Sequence, residues 1–138
     1  MIKISIITIN FNNAAGLKKT LESIKNLKCP DGVELESIVV DGASRDSSLE
    51  IIKSYTDTIT QHVSEPDNGI YDAMNKGIRM ASGQWLNFMN SGDVFASVDV
   101  IYKLMQKNLF LDKSISLILG ENLKLGVLQP KYDISIVK

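Results

Sequence analysis

The fold is decided near the amino terminus by residues 2–13, which read IKISIITINFNN. The first eight of these positions are rich in β-branched residues, which favour a strand, and the polar run beginning at Asn10 ends it. Four apolar residues then recur at helical spacing, namely Leu17, Leu21, Ile24 and Leu27. The chain is therefore predicted to begin with a strand followed by an amphipathic helix.

The same alternation of strand and helix continues along the chain. Strands are predicted at residues 33–40, 59–63 and 85–89, helices after residue 47 and at residues 69–80 and 98–109, and apolar runs at residues 114–119 and 123–128. Ser47 and Glu50 have the spacing of a capping box at the start of the second helix. This order favours an α/β layered fold with a mainly parallel central sheet.

Composition and charge exclude several classes of protein. The 138 residues are 44% hydrophobic and 22% charged, which is typical of one globular domain. Fifteen Lys and Arg against sixteen Asp and Glu leave no broad basic field for nucleic acid. One cysteine and one histidine exclude a disulfide framework and a Cys or His metal cluster. No apolar run approaches the roughly 20 residues that span a bilayer, and the start lacks a signal peptide, so a cytoplasmic location is expected.

Three of the predicted strands end in polar clusters, at residues 10–12, 41–44 and 90–93. In an open parallel sheet these carboxyl ends share one edge, and ligands bind there where the strand order reverses. We therefore expect the three clusters to line one crevice. Its carboxylates suit a hydroxylated ring, a base edge or a divalent metal.

Each polar cluster also has a purely structural interpretation. Asn12 and Asn13 are common turn formers, and Asp41 with its following glycine is a common turn pair. Asp46 is predicted to cap the following helix, and residues 67–69 to form a turn that starts another. The simplest interpretation of three large side chains is a core position: Tyr71, Met74 and Trp85.

Two stretches, IITINFN at residues 6–12 and IVVDGASRD at residues 38–46, resemble the opening of family 2 glycosyltransferases with the GT-A fold. In that family one strand ends in a Tyr-Asn pair and the next in an Asp-rich turn followed by Gly-Ser-x-Asp. The stretches DNGIYDAMNKGI (residues 67–78) and ASGQWLNFMNSGD (residues 81–93) are more specific. They resemble the bacterial branch that makes O-antigen, capsule and exopolysaccharide.

The resemblance implies a GT-A, Rossmann-like three-layer sandwich that binds a nucleotide sugar, usually a UDP-sugar. Asn10 and Phe11 would border the nucleotide base, with Asn12 beside them. Asp41 would accept a hydrogen bond from the base, usually uracil. Asn75 would shape the pocket beside the diphosphate.

Residues 90–93 occupy the place of the family's Asp-x-Asp motif, which holds the ribose and a Mn²⁺ or Mg²⁺ ion. Asn90 and Ser91 would then contact the donor. A gapless match puts Gly92 where the usual metal aspartate stands, so Asp93 is expected to be the metal ligand.

The resemblance also implies that the catalytic base lies on the acceptor side of the fold, beyond position 138. Residues 1–138 are therefore expected to be a single donor-binding domain, truncated before the acceptor-binding half, with no catalytic residue assigned. The carboxylates of the last thirty residues are Asp112, Glu121 and Asp133. Glu121 is the best stand-in for a base among them, although a surface position is the simpler interpretation.

The leading hypothesis is transfer of a sugar, with inversion, to a glycan or lipid-linked acceptor in surface polysaccharide synthesis. The alternative is a nucleotide-sugar-binding module or an inactive fragment. A receiver domain needs an acidic pair after the first strand, where Asn10 and Asn12 stand, and a dinucleotide-binding oxidoreductase needs Gly-x-Gly-x-x-Gly. Homo-oligomerisation and peripheral association with the inner face of the membrane are left open, and no nucleic acid partner is expected.

Overall fold

The structure, a computed structural model, describes residues 1–108 and, beyond them, residues 117–119, 123–124, 127–128 and 135–137. Strands and helices alternate in residues 1–108: β1 (Ile2–Asn10), α1 (Ala14–Lys25), β2 (Val33–Asp41), α2 (Ser48–Ser54), β3 (Gln61–Ser64), α3 (Ile70–Met80), β4 (Trp85–Asn90) and α4 (Val100–Gln106). Four short strands follow: β5 (Leu117–Leu119), β6 (Leu123–Lys124), β7 (Val127–Leu128) and β8 (Ser135–Val137). In the described ranges no helix combines the length and the apolar character needed to cross a membrane.

The central sheet has the strand order β3-β2-β1-β4-β8-β5. β1 pairs in parallel with β2 and β4, and β2 pairs in parallel with β3, whereas β8 is antiparallel to β4 and β5. The strand order reverses at β1, because β2 and β3 lie on one side of it and β4 lies on the other. The predicted α/β fold with a mainly parallel sheet is confirmed.

The side chains of β1 alternate between two apolar layers, one on each face of the sheet. Ile4 and Ile6 pack with residues of α1, α2 and α4, chiefly Leu17, Leu21, Ile52 and Ile101. Ile7 and Ile9 pack on the other face with Ala73 of α3. The packing of helices on both faces explains why every residue of β1 except Lys3 is buried.

Helix α3 lies directly on β1 because Gly77 has no side chain. A Cβ atom at Gly77 would overlap the Cγ2 atom of Ile7. Ala73 and Gly77 form the buried side of the helix, so Tyr71 points away from the sheet and is 82% exposed. The prediction that Tyr71 is a core residue is therefore wrong, whereas Trp85 is a core residue with 1% exposure.

The starts of α1 and α2 are joined by one carboxylate. Asp46 Oδ1 accepts a hydrogen bond from Ser48 N at 3.0 Å, and its Oδ2 accepts one from Ala14 N at 2.9 Å. The Ser47 side chain makes no capping hydrogen bond, so the predicted capping box is wrong. Asp46 caps α2, as predicted, and Asn13 caps α1 by accepting from Gly16 N at 3.1 Å.

A buried carboxylate also ties the strands together on the α3 face. Glu36 is 3% exposed and accepts hydrogen bonds from Ser5 Oγ at 2.5 Å and from Ser82 N and Oγ at 2.9 and 3.1 Å. Gln61 Nε2 also donates to it at 3.3 Å. Burial by itself would raise the pKa of Glu36, but the hydrogen bonds from Ser5 and Ser82 outweigh it and lower that pKa.

Candidate functional site

The carboxyl ends of β1, β2 and β4 meet at one edge of the sheet. In the parallel register Asn10 stands opposite Asp41, and Ile9 stands opposite Asn90. Asn10 Nδ2 donates to Asp41 Oδ1 at 2.8 Å, and Ser91 Oγ donates to Asn10 Oδ1 at 2.7 Å. The structure thus brings the three predicted polar clusters together, as the topology requires.

Asp41 is fully buried and all of its acceptor positions are used. Its Oδ1 accepts from Asn10 Nδ2 and from Ser44 Oγ at 2.6 Å, and its Oδ2 accepts from Ser44 N at 2.9 Å and Ser64 Oγ at 2.7 Å. A carboxylate offers about four lone-pair sites, so none remains for a ligand. The direct hydrogen bond from a base to Asp41, which the resemblance implies, does not fit this geometry.

Burial alone would raise the pKa of Asp41, but the hydrogen bonds from Ser44, Ser64 and Asn10 lower it below its ordinary value. Asp41 is therefore held as a carboxylate in the interior. The signal for this burial is present in the sequence, because Asp41 shares the strand face of Val39, which the helices cover.

Asn10 is also buried, with 2% exposure, and its side chain donates to Ser48 Oγ at 2.9 Å as well as to Asp41. We call the connected side chains the strand-end network: Asn10, Asp41, Ser44, Ser48, Ser64 and Ser91. This network joins the ends of β1, β2, β3 and β4 to the first turn of α2. These hydrogen bonds fix the positions of the four strand ends relative to one another.

An open crevice lies beside the strand-end network, made of two cavities that share Phe11, Asp67 and Gly69. The first cavity is completed by Ile9, Asn10, Ile70 and Ala73, and the second by Gly42 and Pro66. The Phe11 ring is 64% exposed at this position. An exposed aromatic face beside polar groups suits the stacking of a planar ring.

Asp67 is the residue of this crevice whose role sequence reasoning missed. Its Oδ1 accepts from Gly69 N at 3.1 Å, which confirms the predicted turn. Within residues 1–108 its Oδ2 accepts no hydrogen bond, and it lies 2.8 Å from where a Cβ of Gly42 would be. The available signal is that Asp67 follows β3, a fourth strand whose end reaches the same edge of the sheet.

The third of the predicted polar clusters, residues 90–93, forms a tight turn after β4. Asp93 N donates to Asn90 O at 2.9 Å, Asp93 Oδ2 accepts from Asn90 N at 2.9 Å, and Gly92 has a φ of +105°. Thr20 of α1 anchors the turn, because its Oγ1 donates to Asp93 O at 2.7 Å and accepts from Gly92 N at 2.9 Å. The turn leaves Asp93 Oδ1 free of hydrogen bonds to residues 1–108.

Asp93 fits a divalent metal only if a ligand brings further oxygens. Residues 1–108 contain no group of three or more His, Cys, Asp and Glu side chains placed to hold a metal ion. Magnesium in proteins is held by one or two carboxylates together with substrate phosphates and water. One free carboxylate oxygen beside a bound diphosphate meets that requirement.

Two further residues predicted to bind the donor, Asn12 and Asn75, line neither cavity. Asn12 is exposed, accepts from Arg45 N at 2.8 Å and donates from its own N to Ser44 Oγ at 2.8 Å, which are contacts of a turn residue. Asn75 is exposed in the middle of α3 and lines neither cavity. The three carboxylates considered as stand-ins for a base lie outside the described residues: Asp112, Glu121 and Asp133.

A parallel sheet with helices on both faces and a crevice where the strand order reverses is the ligand-binding arrangement of open α/β proteins. The family model for Glycosyl transferase family 2 matches residues 5–118. The chain belongs to glycosyl transferase family 2.

Curated relatives agree with this assignment. An uncharacterised glycosyltransferase of Mycobacterium tuberculosis is 38% identical over 103 residues, covering 75% of this chain and 38% of the relative. A PGL/p-HBAD biosynthesis glycosyltransferase of Mycobacterium bovis is 34% identical, covering 72% of this chain and 39% of the relative. The chain thus spans about two fifths of the length of these relatives.

Solved structures share the fold, which is that of GT-A glycosyltransferases. The mannosyltransferase of Pyrobaculum calidifontis, in complex with GDP-Man and Mn²⁺, matches with a TM-score of 0.78 at 18% identity. The match covers 98% of this chain and 44% of the mannosyltransferase chain. TarS of S. aureus, in complex with UDP-GlcNAc, matches with a TM-score of 0.77 at 20% identity. This match covers 94% of this chain and 37% of the TarS chain.

Proposed function

We propose that this chain forms the donor-binding part of a glycosyltransferase that takes its sugar from a nucleoside diphosphate sugar. The observation that carries the proposal is the crevice beside Phe11, at the strand-order reversal of a family 2 chain. Two structures with this fold contain GDP-Man and UDP-GlcNAc, which supports a nucleotide-sugar donor.

In this proposal the base lies against the exposed ring of Phe11, and the diphosphate extends toward the turn after β4. The strand-end network holds these two elements in fixed relation because it links the ends of β1 and β4 through Asn10 and Ser91. Asp93 Oδ1 is the protein ligand for Mn²⁺ or Mg²⁺. A bound divalent cation neutralises the charge that develops on the diphosphate as the sugar leaves.

The acceptor is proposed to be a glycan, including a lipid-linked glycan, in the synthesis of bacterial surface polysaccharide at the inner face of the membrane. The resemblance of residues 67–93 to the O-antigen, capsule and exopolysaccharide branch supports this choice. The name of the M. bovis relative, a PGL/p-HBAD biosynthesis glycosyltransferase, supports a biosynthetic role.

The proposal is tested by calorimetric titration of the chain with UDP and GDP in the presence of Mn²⁺. We expect one of the two to bind, and Phe11→Ala to weaken that binding about 5- to 150-fold, since stacking a base on an aromatic ring contributes about 1–3 kcal/mol. Tyr102→Ala is the matched control, because Tyr102 is an aromatic residue of α4, 42% exposed, that lines neither cavity. Absence of binding, or equal effects of the two substitutions, would contradict the proposal.

A further inference from the structure

We infer that Asp67, and not Asp41, supplies the carboxylate oxygen that accepts a hydrogen bond from an N–H group of the donor's base. This inference rests on the proposed function and assigns the residue that selects the base. It follows from three features of the crevice: which carboxylates are free, what fills the space beside Phe11, and how the loop that carries Asp67 is held.

The first feature is that Asp67 has a free acceptor and Asp41 has none. Asp41 is fully buried and accepts four hydrogen bonds from protein groups. Asp67 is half-buried, lines both cavities, and uses only Oδ1 among the described residues. A carboxylate accepts hydrogen bonds and donates none, so Oδ2 is suited to an N–H group of a ligand.

The second feature is the position of that oxygen beside the aromatic ring. A Cβ atom at Gly42 would lie 2.8 Å from Asp67 Oδ2 and 3.2 Å from Phe11 Cδ1. The Asp67 carboxylate therefore occupies the space that a side chain at position 42 would take, next to the ring of Phe11. A planar base stacked on that ring has Asp67 Oδ2 within reach of its edge.

The third feature is that the loop from residue 65 to residue 69 is fastened to α3. Asp72 Oδ2 accepts from Asn68 N at 2.9 Å, and Lys76 Nζ donates to Pro66 O at 2.8 Å and pairs with Glu65 at 3.2 Å. Together with the bond from Gly69 N to Oδ1, these contacts orient the carboxylate before a ligand binds. Such preorganisation lets one hydrogen bond discriminate strongly between ligands.

The chemistry of the oxygen defines which bases it selects. Uracil offers N3–H, and guanine offers N1–H with its amino group, so both present a donor to a carboxylate. A methyl group on that ring nitrogen removes the donor. A site built to bind an N–H group rejects a ligand that lacks it, because its own polar atom is then left unpaired.

The test measures nucleotide binding to wild type and to Asp67→Asn by calorimetry. Each protein is titrated with whichever of UDP and GDP binds wild type more tightly, and then with the methylated analogue of that nucleotide, N3-methyl UDP or N1-methyl GDP. The substituted amide would keep an oxygen for Gly69 N, so the turn is retained while the second acceptor becomes a donor. We expect Asp67→Asn to weaken the natural nucleotide about 10- to 150-fold, as for a hydrogen bond to a charged group. We also expect methylation to weaken binding to wild type much more than binding to the variant.

Asp57→Asn is the matched control, since Asp57 is an exposed aspartate before β3, at the opposite edge of the sheet. Circular dichroism of each variant checks that the fold is kept. If wild type binds a nucleotide and Asp67→Asn binds it equally well, the inference is overturned and the proposed function stands. If wild type binds neither UDP nor GDP, the proposed function is overturned and the inference with it.

Discussion

Asn10 and Asp41 stand opposite each other at the ends of two parallel strands and are joined by a hydrogen bond of 2.8 Å. The resemblance to glycosyltransferases implies that both contact the donor, yet each is at most 2% exposed and directs its polar atoms at the protein. Their contribution to the site is therefore to keep Phe11 and the neighbouring turns in place. It follows that changes at these two positions affect stability and binding together.

Replacing Asp41 with alanine is expected to lower the free energy of unfolding by about 2–4 kcal/mol, because Ser44 and Ser64 lose a buried acceptor. Urea denaturation measures this change, and nucleotide affinity is expected to fall with it. Asp57→Ala, at an exposed site, is the control and should stay within about 0.5 kcal/mol of wild type. A variant with wild-type stability that has lost nucleotide binding would instead make Asp41 a direct ligand contact.

Stability is expected to depend on pH through Glu36, whose pKa is lowered in the folded chain. The stabilisation by Glu36 is fully present above the ordinary carboxyl pKa and is lost as the pH falls through the lowered pKa of the folded state. Glu36→Gln should therefore be less stable than wild type at pH 7 and lose less stability on acidification. Urea denaturation between pH 7 and pH 3 measures both effects, and parallel curves for the two proteins would rule out this role.

Helix α3 is expected to tolerate no side chain at Gly77. Alanine there must displace the helix from Ile7, and overpacking of this kind costs about 1–3 kcal/mol of unfolding free energy. Adding Ile7→Ala should make the double variant more stable than the sum of the two single changes predicts. Arg79→Ala, exposed in the same helix, is the control, and additive single changes would show that the two residues do not touch.

Metal dependence of nucleotide binding is expected to require Asp93. For wild type, removing Mn²⁺ and Mg²⁺ with a chelator should weaken UDP or GDP about tenfold or more, which corresponds to about 1.4 kcal/mol. Asp93→Asn keeps an oxygen for Asn90 N but carries no charge, so the chelator should have little effect on it. Asp99→Asn, at the start of α4, should behave as wild type; equal metal dependence in all three proteins would remove Asp93 from the site.

The secondary structure of residues 1–108 is largely predictable from sequence, because most strands and helices there have an apolar pattern and a polar end. The exception is β3 (Gln61–Ser64), whose side chains are mostly exposed and whose position the sequence predicts only in part. The failures concern the direction of single side chains. Spacing alone suggested Ser47 as a helix cap, whereas the adjacent Asp46 carboxylate reaches both Ala14 N and Ser48 N. The size of Tyr71 favours a core position, although Ala73 two residues later fixes the buried side of α3 and leaves Tyr71 exposed.

The sequence predicts where the candidate site lies in the sheet, but not which hydrogen-bond partners its side chains have. Strand order brings the ends of β1, β2 and β4 together, so the convergence of Asn10, Asp41 and Ser91 follows from topology. Which carboxylate oxygen stays free to bind a ligand depends on which hydrogen-bond donors of distant turns reach each aspartate. Ser64 lies 23 residues from Asp41 and satisfies its last acceptor, and no local pattern reveals that pairing.

The carboxylate of Asp46 has a consequence for how this edge of the sheet can change. It binds the first residues of both α1 and α2, so the connection after β1 and the connection after β2 meet at one point. Inserting or deleting a residue in either connection would pull that point apart and tilt a helix start. The lengths of these two loops are therefore expected to be fixed, whereas a change of length is expected to be tolerated in a connection such as the one between α2 and β3.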